Sequence, residues 1–123
     1  MGIVYCDVTG LKKVNDTQGH EMGDRLLKTA CESLRRVFDG YGLFRIGGDE
    51  FLAAANGVTR EELSEHVRLL KEDMKVHGVN MAVGEVWTDK APRNQDALLT
   101  EAERLMYRDK ADYYKRTGID RRK

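Results

Sequence analysis

Residues 41–55 read YGLFRIGGDEFLAAA: an apolar run, two glycines and two acidic residues, and then a second apolar run. This pattern predicts a β-hairpin, because glycine next to an acidic residue is typical of a tight turn between two strands. A hairpin indicates an antiparallel sheet. The segments on either side must supply its other strands and the helices that cover it.

The chain before the hairpin begins with a strand. Residues 2–8 are mostly apolar but contain Asp7, and they predict a buried strand almost from the first residue. A strand that opens a chain needs neighbours to cover it, so we expect native sequence upstream of Met1.

A long helix is predicted between this strand and the hairpin. Residues 9–23 are polar and contain glycines, which predicts a loop with one or two helical turns. Apolar residues then recur at helical spacing, which predicts an amphipathic helix over 24–38 with Asp24 as its N-cap. Asp39 and Gly40 are expected to end this helix.

The chain after the hairpin adds two helices and one strand. Thr59 and Glu62 have the spacing of a capping box and predict the start of a helix. The remaining pattern predicts a strand over 79–87, a loop with the only proline over 88–94, and a helix over 96–115 followed by a solvated tail. This order favours an α+β fold, with helices flanking an antiparallel sheet, and we expect one domain over residues 1–123.

The composition excludes several classes of protein. The 123 residues hold 21 basic and 21 acidic side chains, so the net charge is zero, and 41% of the residues are hydrophobic. These values indicate a globular domain rather than a disordered tail and argue against a binder of duplex nucleic acid. The chain has no long apolar run and no secretory leader, so we expect a cytoplasmic protein without a membrane segment in this sequence. Cys6 and Cys31 are expected to be buried, reduced thiols, with a disulfide as the alternative.

The hairpin turn is the first candidate site. Gly47 and Gly48 would let a ligand approach the backbone, and Asp49 and Glu50 could hold a divalent metal or accept a proton. The same four residues are also expected of a solvated turn whose acids keep the surface soluble. The turn alone leaves both interpretations open.

Asp7 is the second candidate, because a carboxylate inside an apolar strand is costly unless it is paired or bound to a metal. If this strand lies beside the hairpin, Asp7 and Asp49 can share one metal, and their hard oxygen atoms favour Mg²⁺ and therefore phosphate substrates. The following turn, residues 9–12, would offer backbone N–H groups and the Lys12 cation to phosphate. Alternatively, Lys12 and Lys13 are an ordinary exposed basic pair.

Residues 15–24 are the third candidate. An amide and a carboxylate can together recognise guanine, so Asn15 and Asp24 are candidates for reading the base. Asp24 is also expected to cap a helix, and it can do both. His20 either lies near the ligand or is a loop histidine bonded to the backbone.

Several motifs together resemble those of GGDEF domains, the diguanylate cyclases. Residues 45–51, RIGGDEF, are similar to the turn that gives the family its name. Residues 7–24 contain DxxxLKxVNDxxGHxxGD at the family's spacing, and residues 103–110 contain ExxMYxxK. Residues 80–84, NMAVG, resemble the family's penultimate strand. The resemblance covers nearly the whole chain.

The resemblance implies a fold and a reaction. The fold would be the ferredoxin-like palm of nucleotide cyclases and polymerases. The reaction would join two GTP molecules into cyclic di-GMP and release two pyrophosphates, with Mg²⁺ or Mn²⁺. One domain would hold one GTP, so catalysis would need a second copy related by a two-fold axis. An upstream sensor domain in the full-length protein would be a further partner.

The resemblance also implies roles for individual residues. The metal ligands would be Asp7, Asp49 and the carbonyl of Val8. The catalytic residues would be Asp49 and Glu50, which would help to deprotonate the attacking 3′-hydroxyl, together with Lys12. The residues that admit or neutralise the phosphates would be Gly10, Leu11, Lys12, Gly47, Gly48 and Lys110. The residues around guanine and its sugar would be Asn15, His20 and Asp24.

Two departures from the family pattern concern the substrate and the start of the chain. Family members usually carry a helix and a turn before the first strand, and this sequence has neither. The family often has an arginine four residues after the lysine matched by Lys110, where this chain has Tyr114. We therefore expect weaker binding of the triphosphate.

A third departure concerns product inhibition. Many members have an Arg-x-x-Asp site that binds product at a fixed distance before the turn, and in that register this chain has Phe38 and Tyr41. Residues 36–39 do read RVFD, but they lie two positions too early. We therefore do not expect product inhibition through Arg36 and Asp39.

Three functions remain open from the sequence. The leading one is a diguanylate cyclase domain of a bacterial signalling protein. The second is a catalytically silent GTP-binding or regulatory interaction domain. The third is a cyclase that makes an adenine-containing dinucleotide, which Asn15 and Asp24 disfavour because adenine lacks the N1–H and N2 donors that an aspartate would bind.

Overall fold

The structure, a computed structural model, describes residues 1–89 and 95–118. Its elements are β1 (Gly2–Val8), α1 (Leu11–Gln18), α2 (His20–Val37), β2 (Gly42–Arg45), β3 (Glu50–Ala55), α3 (Arg60–Val76), β4 (Met81–Trp87) and α4 (Gln95–Thr117). The four strands form one sheet in the order β2-β3-β1-β4, and every neighbouring pair is antiparallel. The predicted α+β fold with helices flanking an antiparallel sheet is confirmed.

Strand β1 lies inside the sheet, and all seven of its residues are buried. It pairs with β3 on one side and with β4 on the other. The register places Asp7 opposite Glu50 on β3 and Ala82 on β4. The end of the first strand therefore lies next to the hairpin turn, as the shared-metal hypothesis requires.

The two faces of the sheet carry different helices. Val4 and Cys6 of β1 belong to a core cluster with residues of α2 and α3, while Ile3 and Tyr5 belong to a second cluster with Ala102 of α4. This division follows from the alternation of side chains along a strand. Asp7 continues the alternation of Ile3 and Tyr5 and therefore faces α4.

Helix α4 packs mainly on β4 and β1. On this face Leu52 is partly buried, and Phe44, opposite it on the edge strand β2, is 56% exposed.

Gly84 brings α4 close to the sheet. A Cβ atom at this position would lie 2.0 Å from the carbonyl oxygen of Ala102 and 2.4 Å from the amide nitrogen of Met106. The backbone of α4 therefore packs directly on β4. Lys110 follows Met106 by one helical turn, so this close approach also sets the position of Lys110.

The start of α2 differs from the prediction. The helix begins at His20, four residues before Asp24, so Asp24 lies inside the helix and is not its N-cap. Gly19, with φ 89° and ψ 165°, separates α1 from α2. Glycine adopts this positive φ without strain, whereas other residues do not. The change of direction at Gly19 allows α2 to begin at the next residue.

Other local predictions agree with the structure. Thr59 and Glu62 form the capping box of α3, with hydrogen bonds of 3.1 and 3.0 Å. Cys6 is buried and Cys31 is half-buried, and both thiols are free. Most of the predicted loop over 88–94 and all of the tail after residue 118 lie outside the described residues. In the part of the chain that the structure describes, no helix is long and apolar enough to cross a membrane.

Candidate active site

Asp7 and Lys110 form a buried ion pair between β1 and α4. The Asp7 side chain is almost fully buried, with 2% of the residue exposed. One of its oxygens, Oδ2, accepts a hydrogen bond of 2.8 Å from Nζ of Lys110. A carboxylate taken out of water needs such a partner. The pair joins residues 103 positions apart and fixes the last part of α4 over the end of β1.

Burial and the neighbouring charges shift the pKa values of this pair. The pKa of Asp7 is raised to about 6, mainly by burial; the hydrogen bond from Lys110 opposes this rise, and the charge of Asp49 adds to it. Burial acts to lower the pKa of Lys110, but its hydrogen bond to Asp7 and the charge of that carboxylate outweigh this, so the pKa of Lys110 is raised. Lys110 is thus a single cation near two carboxyl groups, those of Asp7 and Asp49. A second cation would be stabilised there.

Arg45 holds the hairpin turn in shape. Its Nε and Nη2 atoms donate hydrogen bonds of 3.2 and 2.5 Å to the carbonyl oxygens of Gly47 and Gly48. The amide of Val8 donates a bond of 3.0 Å to the carbonyl of Asp49 and so ties the turn to β1. The sequence motif included Arg45 but did not indicate this bracing role.

The two glycines of the turn differ in their surroundings. A Cβ atom at Gly48 would meet nothing within 4 Å, and neither Gly47 nor Gly48 has a positive φ. A Cβ atom at Gly47 would lie 3.4 Å from Oε1 of Glu50. Gly48 is therefore not required by the backbone conformation, and the space beside it is open to a ligand.

The carboxylates at the end of β1 and in the hairpin turn fit a divalent metal. Oδ1 of Asp7 and Oε2 of Glu50 are buried and have no hydrogen-bond partner. Buried acceptors of this kind are costly unless something binds them, and hard oxygen atoms are the ligands that Mg²⁺ and Mn²⁺ prefer. Among residues 1–89 and 95–118, no three His, Cys, Asp or Glu side chains converge as a complete metal site. Any cation held here would therefore take further ligands from carbonyls, water or substrate.

Gly10 forms the turn between β1 and α1. It has φ 73°, and its amide donates a hydrogen bond of 3.2 Å to the hydroxyl of Tyr114. Thr9 next to it is fixed by Asn80, whose carbonyl accepts from the Thr9 amide at 3.1 Å and whose side chain donates to the Thr9 hydroxyl at 2.9 Å. One of the two amides predicted to meet phosphate is thus already hydrogen-bonded within the protein. Lys12 lies on the exposed side of α1.

Asn15 of α1 packs against α2 at Gly23. A Cβ atom at Gly23 would lie 1.8 Å from Oδ1 of Asn15, so only glycine permits this approach. Asp24 follows directly and lines a cavity of about 600 Å³ between α2 and the hairpin, together with Leu27 and Phe44. The structure thus brings Asn15 to the residue next to Asp24.

The two remaining predicted residues lie at the starts of α1 and α2. His20 is the exposed first residue of α2, and Leu11 is the half-buried first residue of α1.

A polar contact beside Asp7 was missed by sequence reasoning. The hydroxyl of Tyr5 donates a bond of 3.1 Å to Oε2 of Glu103, and burial, followed by the charge of Glu50, raises the pKa of Tyr5. The signal was in the spacing: Tyr5 is two residues before Asp7 on one strand face, and Glu103 is seven residues before Lys110 on one helix face. The two pairs therefore repeat along the same β1–α4 contact.

The RVFD segment is occupied by other contacts. Arg36 forms an ion pair of 2.7 Å with Asp73 of α3. Phe38 is fully buried, and the ring of His66 lies 5.5 Å from that of Phe38 and 5.6 Å from that of Tyr41. Phe38 and Tyr41 therefore form an aromatic cluster with His66.

Comparison with known proteins identifies the family and the fold. The family model for the diguanylate cyclase GGDEF domain matches residues 1–116. The chain belongs to the GGDEF family. An uncharacterized membrane protein of Staphylococcus aureus strain USA300 is 28% identical in an alignment 120 positions long, and the match covers 87% of this chain and 33% of that protein. This GGDEF chain thus spans about a third of the length of that relative.

Solved GGDEF structures share the fold. An EAL/GGDEF domain protein from M. capsulatus is 27% identical, with a TM-score of 0.76 over 90% of this chain and 78% of that one. The active GGEEF domain of a diguanylate cyclase from Vibrio cholerae is 17% identical, with a TM-score of 0.78 over 90% of this chain and 76% of that one. The second likeness concerns the fold alone. Together they match the antiparallel sheet and flanking helices described above.

Proposed function

We propose that this chain is a diguanylate cyclase domain that condenses two GTP molecules into cyclic di-GMP and two pyrophosphates. The observation that carries the proposal is the buried Asp7 beside the GGDE turn. It has one oxygen bonded to Lys110 and one oxygen without a partner. A fold needs no such group for stability, because an unpartnered buried carboxylate oxygen is costly. Membership of the GGDEF family supports this reading.

Asp7, Asp49 and the carbonyl of Val8 would hold Mg²⁺ or Mn²⁺. The bound ion would supply Lewis-acid stabilisation of the phosphates and of the attacking oxygen. The hydrogen bond between the Val8 amide and the Asp49 carbonyl keeps the two strand ends together for this purpose. The excess of carboxyl groups over lysine at this edge favours a further cation.

Other residues would act on the phosphates and on the attacking hydroxyl. Lys12 and Lys110, with the amides at the start of α1, would neutralise the triphosphate, and the open space at Gly48 would admit it. Asp49 or Glu50 would accept the proton of the 3′-hydroxyl. Glu50 suits this role because its buried Oε2 has no competing donor.

The base would be read at the junction of α1 and α2. Asn15 can donate to and accept from guanine, and Asp24 accepts from its N1 and N2 hydrogens. The cavity of about 600 Å³ next to Asp24 is within the size range of small-molecule sites. His20 would lie near the base or the sugar.

The reaction needs two domains, because each holds one GTP. We propose a homodimer with the two sites face to face across a two-fold axis. A sensor domain elsewhere in the full-length protein would set this dimer. The domain would work in the cytoplasm, where GTP is available.

The test is to incubate the purified chain with GTP and Mg²⁺ and to analyse the products by mass spectrometry. We expect cyclic di-GMP and pyrophosphate from the native sequence, none from Asp49→Ala, and an unchanged yield from the control Asp39→Ala on an exposed turn. Binding of GTP without product would indicate a site that lacks its dimer partner. Failure to bind GTP would overturn the proposal.

One observation favours a second function, a catalytically silent GTP-binding or regulatory domain. The Gly10 amide is bonded to Tyr114 and is not free for phosphate. If this bond persists with GTP present, the domain would hold the nucleotide too weakly for turnover. GTP binding with no product at any protein concentration would favour this alternative.

A further inference from the structure

We infer that Tyr114 sets the affinity of the domain for the phosphate groups of its substrate, by competing with them for the amide of Gly10. This inference rests on the proposed function, since it assumes that phosphate meets the start of α1. It assigns a role to a residue that the catalytic scheme leaves without one.

The geometry places the tyrosine hydroxyl where a phosphate oxygen would bind. The amide of Gly10 donates a hydrogen bond of 3.2 Å to the Tyr114 hydroxyl. Tyr114 follows Lys110 by four residues on α4, so the two side chains lie on the same helix face. Tyr114 thus contacts one group that would meet the triphosphate, the Gly10 amide, and shares a helix face with another, Lys110.

Independent contacts hold both partners of this hydrogen bond. On the donor side, the hydrogen bonds between Thr9 and Asn80 fix the residue before Gly10. On the acceptor side, the ring of Tyr114 packs edge-on against Tyr113, with 5.4 Å between centroids. The bond is therefore part of the resting fold and must break before the amide can turn to a phosphate.

The effect of the Tyr114 hydroxyl on phosphate affinity can be given an expected size. A phosphate oxygen is charged and accepts a stronger hydrogen bond than a neutral phenol, so substrate can displace the tyrosine. Breaking a neutral hydrogen bond costs a net amount equivalent to about a two- to tenfold change in affinity. Tyr114→Phe, which removes the hydroxyl and keeps the ring, should therefore increase the affinity for phosphate by that factor.

The experiment is isothermal titration calorimetry on the full chain with GTP and with guanosine, in the same Mg²⁺ buffer. Tyr114→Phe should bind GTP about two- to tenfold more tightly than the native chain, with guanosine binding unchanged. The matched control is Tyr113→Phe, which removes a neighbouring hydroxyl on the same helix and should change neither. Unchanged or weaker GTP binding by Tyr114→Phe, or an equal gain for guanosine, would overturn the inference.

A second measurement separates this inference from the proposed function. If none of the three proteins binds GTP, the proposed function is overturned. The inference is then decided by NMR, by following the Gly10 amide resonance during titration with pyrophosphate. If the hydroxyl competes for the amide, the pyrophosphate concentration at the midpoint should be about two- to tenfold lower for Tyr114→Phe than for the native chain. An equal midpoint in both proteins would overturn it.

Discussion

At the scale of single residues, the candidate site contains buried carboxylate oxygens without hydrogen-bond partners, which lower the stability of the fold. Asp7 has one oxygen on Lys110 and one without a partner, and Glu50 opposite it has a second unpartnered oxygen. Such groups concentrate at functional sites, because a ligand can satisfy what the protein leaves open.

Tyr114→Arg is expected to tighten GTP binding about tenfold or more. An arginine at this position would replace a neutral competitor by a cation that bonds phosphate directly, and charged hydrogen bonds are stronger than neutral ones. The measurement is the dissociation constant for GTP by calorimetry. Tyr113→Arg adds the same charge one position away and should give a smaller gain. An unchanged affinity for Tyr114→Arg would contradict the prediction.

Two glycine substitutions separate function from folding. Gly48→Ala should change the free energy of unfolding by no more than about 0.5 kcal/mol, because its Cβ would enter open space, yet it should strongly reduce cyclic di-GMP synthesis. Gly84→Ala should destabilise the protein by about 3 kcal/mol or more, because its Cβ would overlap the backbone of α4. Chemical denaturation and the product assay report the two effects. Full activity in Gly48→Ala would be inconsistent with a phosphate beside this turn.

At the scale of elements, α2 and α3 pack together at the segment where we expect no product binding. Arg36 at the end of α2 is bonded to Asp73 on α3, and the aromatic cluster of Phe38, Tyr41 and His66 fills the neighbouring space. An arginine already engaged by a carboxylate has less to offer a second anion. We therefore expect this segment to contribute to packing rather than to product binding.

Arg36→Ala tests this reading. We expect a small loss of stability in chemical denaturation and no change in how added cyclic di-GMP affects the rate of synthesis. Arg104→Ala removes a comparable exposed ion pair on α4 and serves as the control. The prediction fails if Arg36→Ala relieves inhibition by product.

The sequence predicted these elements unevenly. Hydrophobic alternation and the glycine turn located β1 and the hairpin, and with them the neighbourhood of Asp7 and Asp49. The start of α2 was wrong by four residues, because it depends on the positive φ of Gly19 and not on side-chain pattern. The bond between Gly10 and Tyr114 was not predictable, since it joins residues 104 positions apart and depends on where α4 docks.

At the scale of the whole molecule, the candidate site lies where β1 ends beside the hairpin turn between β2 and β3. Each domain offers one set of candidate residues for one GTP, and the product contains two guanosines. Catalysis by the proposed route therefore depends on encounter between domains as well as on the chemistry within each.

Turnover per domain is accordingly expected to rise with protein concentration, in proportion to concentration while the protein is mainly monomeric. GTP binding per domain should not change over the same range, because it needs one copy only. Light scattering on the same samples reports the oligomeric state. A constant turnover per domain in samples shown to be monomeric would rule out the dimeric mechanism.

The contacts from β1 to α4 also decide when during synthesis the site can exist. Within this domain, Asp7 is synthesised before Lys110 and Tyr114, which follow more than 100 positions later. Until α4 has emerged and docked against Gly84, the nascent chain carries Asp7 without its lysine and Gly10 without its tyrosine. A partly made domain therefore lacks both contacts, and the candidate site is complete only after α4 has docked on the sheet.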